Sequence, residues 1–105
     1  MAVEVQIFEK GFTLPGNKLT IDMTPKEPSV GEPVTFYGRF TFCGLPNFFV
    51  IMRLVIKGPE SRWKFIVTDL EGNFSYTTRF KKAGEYWAQI DDIKNWSKRI
   101  YFTVK

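Results

Sequence analysis

Chemistry at a protein site needs particular side chains, and this chain of 105 residues is short of them: it has no histidine and one cysteine, Cys43. Acid–base and nucleophilic catalysis near neutral pH use imidazole most often, and structural or catalytic metal sites use imidazole or clustered thiolates. A lone thiol at a strand end, with no imidazole or second cysteine to activate it, reads as incidental. The remaining candidates are two local carboxylate pairs, Asp69 with Glu71 and Asp91 with Asp92. Oxygen ligands could hold calcium, and two separated carboxyls could serve as acid and base in a hydrolase. Neither pair has the spacing of a calcium loop, Asp69 serves equally well as a turn former, and no positioned acid and base can be singled out. No Gly-rich phosphate loop or nucleophile elbow occurs. The sequence predicts a non-enzymatic protein with no cofactor and no metal.

Aromatic and basic residues offer binding instead. Trp63, Trp87, Trp96 or Tyr37 could stack on sugar rings, the alternative for each tryptophan being half-buried packing. Arg79, Lys81 and Lys82 form the densest basic cluster, a weak signal for nucleic acid because it reads equally as a solvated loop. The net charge of +4 is scattered along the chain, the pattern of a solvated surface more than of a polyanion groove.

These residues must be positioned by one small core. A chain of this length makes one domain, and aromatic residues at 17% supply ample material for burial. With one cysteine, no internal disulfide can form, so packing must hold the fold. The first residues, with Glu4 and Gln6 among their apolar positions, do not form the apolar core of a signal peptide. The longest apolar run, Phe48 to Met52, is far too short to span a bilayer.

The elements read as strands throughout. Val3, Val5 and Ile7 alternate with polar residues as a short first strand or arm, ended by Pro15 and Gly16. Leu19, Ile21 and Met23 alternate next, and three prolines between Thr24 and Pro33 predict an edge segment and loop. Val34, Phe36, Gly38, Phe40 and Phe42 share one face of a long strand, with Gly38 leaving room for a neighbouring aromatic or marking a bulge. After a turn over Gly44 to Asn47, Phe48 to Lys57 is apolar on both faces, as in a strand covered on both sides or one meeting another molecule. Trp63, Phe65 and Val67 alternate with Lys64, Ile66 and Thr68. Phe74, Tyr76, Thr78 and Phe80 follow an Asp69 to Asn73 turn, and Tyr86, Ala88 and Ile90 follow a Lys81 to Gly84 turn. Trp96, Lys98, Ile100, Phe102 and Val104 share one face of the closing run. Short strands with regular turn signals and no helical period predict an all-β antiparallel sandwich of about seven strands.

Three steps of this pattern carry a resemblance. Val30-Gly31-Glu32 with Val34 and Thr35, then Thr68-Asp69 with Gly72 and Phe74, then Ala83-Gly84 with Tyr86, are similar to the openings of the second, fifth and sixth strands of prokaryotic immunoglobulin-like domains. The resemblance spans residues 19–105, leaving 1–18 as an N-terminal arm or extra strand. It departs from the pattern in an unusually apolar third strand. It implies an immunoglobulin-like sandwich from a surface, secreted or virion protein, outside the cell or on its surface, working in adhesion or structure. It also implies that Tyr86 is a corner tyrosine bonding nearby backbone, and that the third, sixth and seventh strands lie side by side. On that arrangement Phe49, Ile51, Arg53, Val55, Trp87, Gln89, Arg99 and Tyr101 point outward. The expected partner site is Phe49, Ile51, Arg53, Trp87, Arg99 and Tyr101, taking a protein partner or a second copy. The alternatives are that Val3 to Phe12 folds over this face, or that the domain binds carbohydrate.

Overall fold

The computed structural model describes residues 9–105. The expected strand over Val3 to Ile7 lies outside the described residues. Among those described, nine strand segments form two antiparallel sheets that pack as a sandwich. The segments are β1 (Asn17–Leu19), β2 (Asp22–Thr24), β3 (Val34–Phe42), β4 (Leu45–Pro46), β5 (Ile51–Lys57), β6 (Arg62–Val67), β7 (Asn73–Thr78), β8 (Gly84–Asp91) and β9 (Ile100–Val104).

Strand β3 is the spine of one sheet. On one edge it pairs with β1 and β2 in a single continuous register, Asn17 opposite Phe42 and Thr24 opposite Thr35, so the Leu19-Ile21-Met23 run is one edge strand interrupted at Thr20 and Ile21. Its other edge takes β7, with Phe36 opposite Tyr76, and the short hairpin arm β4. The hairpin turns on Cys43 (φ 50°) and Gly44 (φ 83°), both left-handed, as a two-residue loop matched to strand twist requires. The turn therefore begins one residue earlier than expected, at Cys43, and is over by Leu45 instead of spanning Gly44 to Asn47. The second sheet runs β6-β5-β8-β9, which places the expected third, sixth and seventh strands side by side and adds β6 outside them.

Alternation decides the core. Val34, Phe36 and Phe40 point inward from β3, Met52, Leu54 and Ile56 from β5, Tyr86, Ala88 and Ile90 from β8, and Phe102 and Val104 from β9. Four aromatic rings lock the two sheets together: Phe36 meets Phe102 at 5.7 Å, Phe80 meets Tyr86 at 4.7 Å, and Tyr86 stacks on Phe102 at 5.5 Å. Burying each such ring contributes about 1.5–3 kcal/mol, so this cluster outweighs any surface ion pair. Gly38 sits opposite Phe74 in the register, and a Cβ there would lie 2.0 Å from the Thr20 carbonyl oxygen and 2.6 Å from the Phe74 ring. The glycine is what lets that ring into the core. The Tyr86 hydroxyl donates to the Lys82 carbonyl at 2.7 Å, tying β8 to the turn before it.

Three expectations need correction. The apolar run from Phe48 becomes a strand only at Ile51, because Phe49 takes φ 56° and the Thr68 hydroxyl accepts the Val50 N–H at 2.8 Å and donates to the Asn47 carbonyl at 2.7 Å. Phe48 is thereby exposed instead of facing inward. Phe42, at the end of β3, is likewise exposed. In the closing run, Ile100 pairs with Ala88 but Trp96 bridges Asp91, so the second strand carries one extra residue between them. This bulge breaks the alternation: Ser97 is buried and Lys98, expected beside Ile100, is exposed.

The proline-rich segment seals one side. Lys105 donates its N–H to the Pro28 carbonyl and accepts from the Val30 N–H, both at 2.9 Å, the straddling pattern of a short parallel pair. Gly31 N–H then reaches the Phe80 carbonyl, crossing to the loop after β7.

Candidate interaction surface

The register of the second sheet dictates what its outer face displays. Ile51 stands opposite Val67, Arg53 opposite Phe65 and Val55 opposite Trp63 across the β5–β6 pair. Met52, Leu54 and Ile56 are directed inward, so these six side chains must point out. Ile51 is 66% exposed, Trp63 61%, Phe65 62% and Val67 53%. Phe49, held at the lip by its left-handed backbone, is 62% exposed and packs edge-on against Phe48 at 5.5 Å. Trp63 and Phe65 form a second edge-to-face pair at 5.0 Å. The result is a contiguous apolar strip along β5 and β6. Monomeric soluble proteins seldom leave such a strip exposed without a use.

Beside it runs a groove of about 520 Å³ lined by Ile51, Trp63, Phe65, Ile93 and Trp96 together with Arg53 and Asp91. Arg53 pairs with Asp91 at 3.2 Å; the carboxylate is buried and the guanidinium half-exposed. Asp92 accepts the N–H groups of Lys94 and Asn95 and the Asn95 amide, so it works as a turn former. Asp69 does the same for Glu71 and Asn73, both at 2.9 Å. Among the described residues no three acidic or thiol groups gather where a metal ion could be held.

The outer face changes character toward β9. The Arg99 guanidinium lies 3.9 Å over the Trp87 ring, half-burying the indole. Gln89, expected to point into solvent, is buried and donates to the Ser97 carbonyl at 2.7 Å, because the bulged segment before β9 folds over it. Tyr101 is exposed, and its hydroxyl donates to Glu9 at 2.5 Å. That hydrogen bond, with partial burial, raises the phenol above its ordinary 10.0. Phe12 exchanges backbone bonds with Trp96, and the Arg99 N–H reaches the Glu9 carbonyl at 2.9 Å, so residues 9–12 run along the segment leading into β9.

Of the six expected site residues, Phe49, Ile51 and Arg53 therefore sit together at the β5 strip, while Trp87, Arg99 and Tyr101 form a separate capped cluster at β8 and β9. Sequence reasoning missed Phe65 and Val67 and weighed Trp63 only for sugars. Their signal was present: two strand patterns joined by the short Gly58 to Ser61 reversal make a hairpin, and hairpin partners share a face. Of the aromatic residues considered for sugar stacking, Trp63 and Trp96 line the same groove, whereas Tyr37 lies on the outer face of the other sheet and Trp87 lies under Arg99. The chain matches no protein-family model, and no curated protein is similar to it.

Proposed function

We propose that this chain is a non-catalytic structural or protein-interaction module that docks a protein partner through the outer face of β5 and β6. The observation that carries this reading is the contiguous exposure of Phe49, Ile51, Trp63, Phe65 and Val67 beside the half-exposed Arg53. Aromatic anchors with an arginine at the margin are the composition of an interface core and its rim. An origin in a surface, secreted or virion protein with an immunoglobulin-like domain is part of the same proposal. It is supported by the sandwich and by the Tyr86 hydroxyl bonded to backbone four residues upstream.

The test is a double substitution, Ile51→Lys with Phe65→Lys. If the strip is free for a partner, the variant keeps the concentration-independent part of its unfolding free energy within about 0.5 kcal/mol and loses native-state binding of a hydrophobic dye. A concentration-independent loss of stability well beyond that would mean that the chain itself packs on the strip, and the docking reading would fall. Trp63 offers the strongest sugar-facing surface, so a tryptophan fluorescence change on titrating oligosaccharides would move the assignment to carbohydrate binding; none is expected.

A further inference from the structure

We infer that the partner is a second copy of this chain, joined edge to edge through β6 in an antiparallel pair centred on Phe65; this rests on the docking function proposed above. The first ground is the backbone. Thr68 donates its N–H to the Val50 carbonyl, which sets the hydrogen-bonded phase of the β5–β6 ladder. Bonded pairs alternate along an antiparallel ladder, so Ile66, Lys64 and Arg62 also turn their N–H and C=O groups toward β5. Trp63, Phe65 and Val67 then turn theirs away, to the open edge. Among the described residues no backbone hydrogen bond reaches those three.

The second ground is that this edge contains no proline. Its one mid-strand charge, Lys64, faces inward, a placement that commonly guards an edge, but here it is drawn over the Tyr76 ring at 5.7 Å and so away from the open side. Arg62 donates to the Thr78 hydroxyl at 2.5 Å, closing the seam beneath the strand while leaving its edge open.

The third ground is self-complementarity, which a twofold interface demands. With the axis at Phe65, the outward phases coincide: Phe65 faces Phe65 of the second copy and Trp63 faces Val67 of the second copy. About six backbone bonds form, and the cross-strand pairs are aromatic with aromatic and aromatic with β-branched, both favourable. Lys64 comes opposite Ile66 of the second copy and Arg62 opposite Thr68 of the second copy, so no two cations meet. Centring the axis on Trp63 instead would set Arg62 against Lys64 of the second copy. The stretch from Trp63 to Val67 carries no charge on its outer face, so a partner chosen by charge has nothing there to read, whereas an identical strand fits it.

The register makes a sharp test, because positions 63 and 67 are roughly 13 Å apart within one strand and cannot pair inside a chain. Sedimentation equilibrium of the unmodified chain is expected to give twice the 12.3 kDa chain mass. Trp63→Lys with Val67→Lys sets like charges opposite each other twice and is expected to give the single-chain mass. Trp63→Glu with Val67→Lys sets unlike charges opposite each other twice and is expected to keep the dimer, now weakened by added salt. Ile51→Lys, one strand in from the edge, is expected to stay dimeric. All three positions are exposed, and matching circular dichroism confirms that the variants fold. A monomeric unmodified chain, or equal loss of the dimer in both charge variants, overturns the inference. Loss of the dimer in Ile51→Lys with retention in Trp63→Lys/Val67→Lys also overturns it, while leaving docking through the face intact. A loss of stability in the lysine variants that is the same at every protein concentration would instead mean that the chain itself packs on the strip, and would remove the docking reading itself.

Discussion

Gly38 shows how one residue type admits a fold. Its missing side chain is occupied by the Phe74 ring and by the Thr20 carbonyl oxygen, and the latter is backbone and cannot swing aside. Gly38→Ala is expected to lower the unfolding free energy by about 1–3 kcal/mol in a denaturant titration, the usual cost of an overpacked core. Tyr101 makes a second residue-scale prediction. Its phenol is raised above 10.0 chiefly by the hydrogen bond to Glu9, so the neutral form is favoured in the folded chain. The associated stabilisation is fully present below the unfolded value and is lost as pH rises through the folded one. In an ultraviolet titration of tyrosinate, Tyr101→Phe should remove a late-ionising phenol and leave that of Tyr86, which burial also raises.

At the scale of elements, the bulge before β9 governs the outer face. The extra residue turns Ser97 inward, where its hydroxyl accepts the buried Ile90 N–H at 3.1 Å, replacing a ladder partner that the bulge displaces. Ser97→Ala is expected to cost about 1–3 kcal/mol, the penalty for a buried donor left without an acceptor. Hydrogen exchange should show the Ile90 amide losing protection first. The β5–β6 hairpin is the other decisive element. Its register alone brings Ile51, Val67, Phe65 and Trp63 to one surface.

At the scale of the molecule, the two sheets share one core, so neither is expected to melt alone. Phe102 touches Phe36 and Phe80 across the layers and Tyr86 beside it in its own sheet. Phe102→Ala should remove about 3–5 kcal/mol, and far-ultraviolet dichroism and tryptophan fluorescence should still report coincident transitions. Separate transitions would show that the sheets are held independently.

The sandwich was legible in the sequence because strand alternation is a local signal: Val34, Phe36 and Phe40, or Tyr86, Ala88 and Ile90, announce their buried face without knowledge of the partner. The turn at Asp69 and the space above Gly38 were legible for the same reason. The outward placement of Ile51 and Arg53 was legible because it follows from phase along a single strand, whereas Phe49 owes its exposure to a left-handed backbone ahead of that strand. What only the tertiary structure decided is whatever depends on a neighbour. Gln89 and Trp87 have the phase of outward residues, yet a bulged segment and the Arg99 guanidinium cover them, and no periodicity encodes a covering loop. Phe48 has the phase of a core residue, yet the Thr68 hydroxyl captures the backbone beside it and ends the strand early. Trp63, Phe65 and Val67 became a surface only once β6 was placed on the outside of β5. Sequence period determines which face a residue takes on its own strand, and strand order determines whether that face meets the core, another segment or solvent.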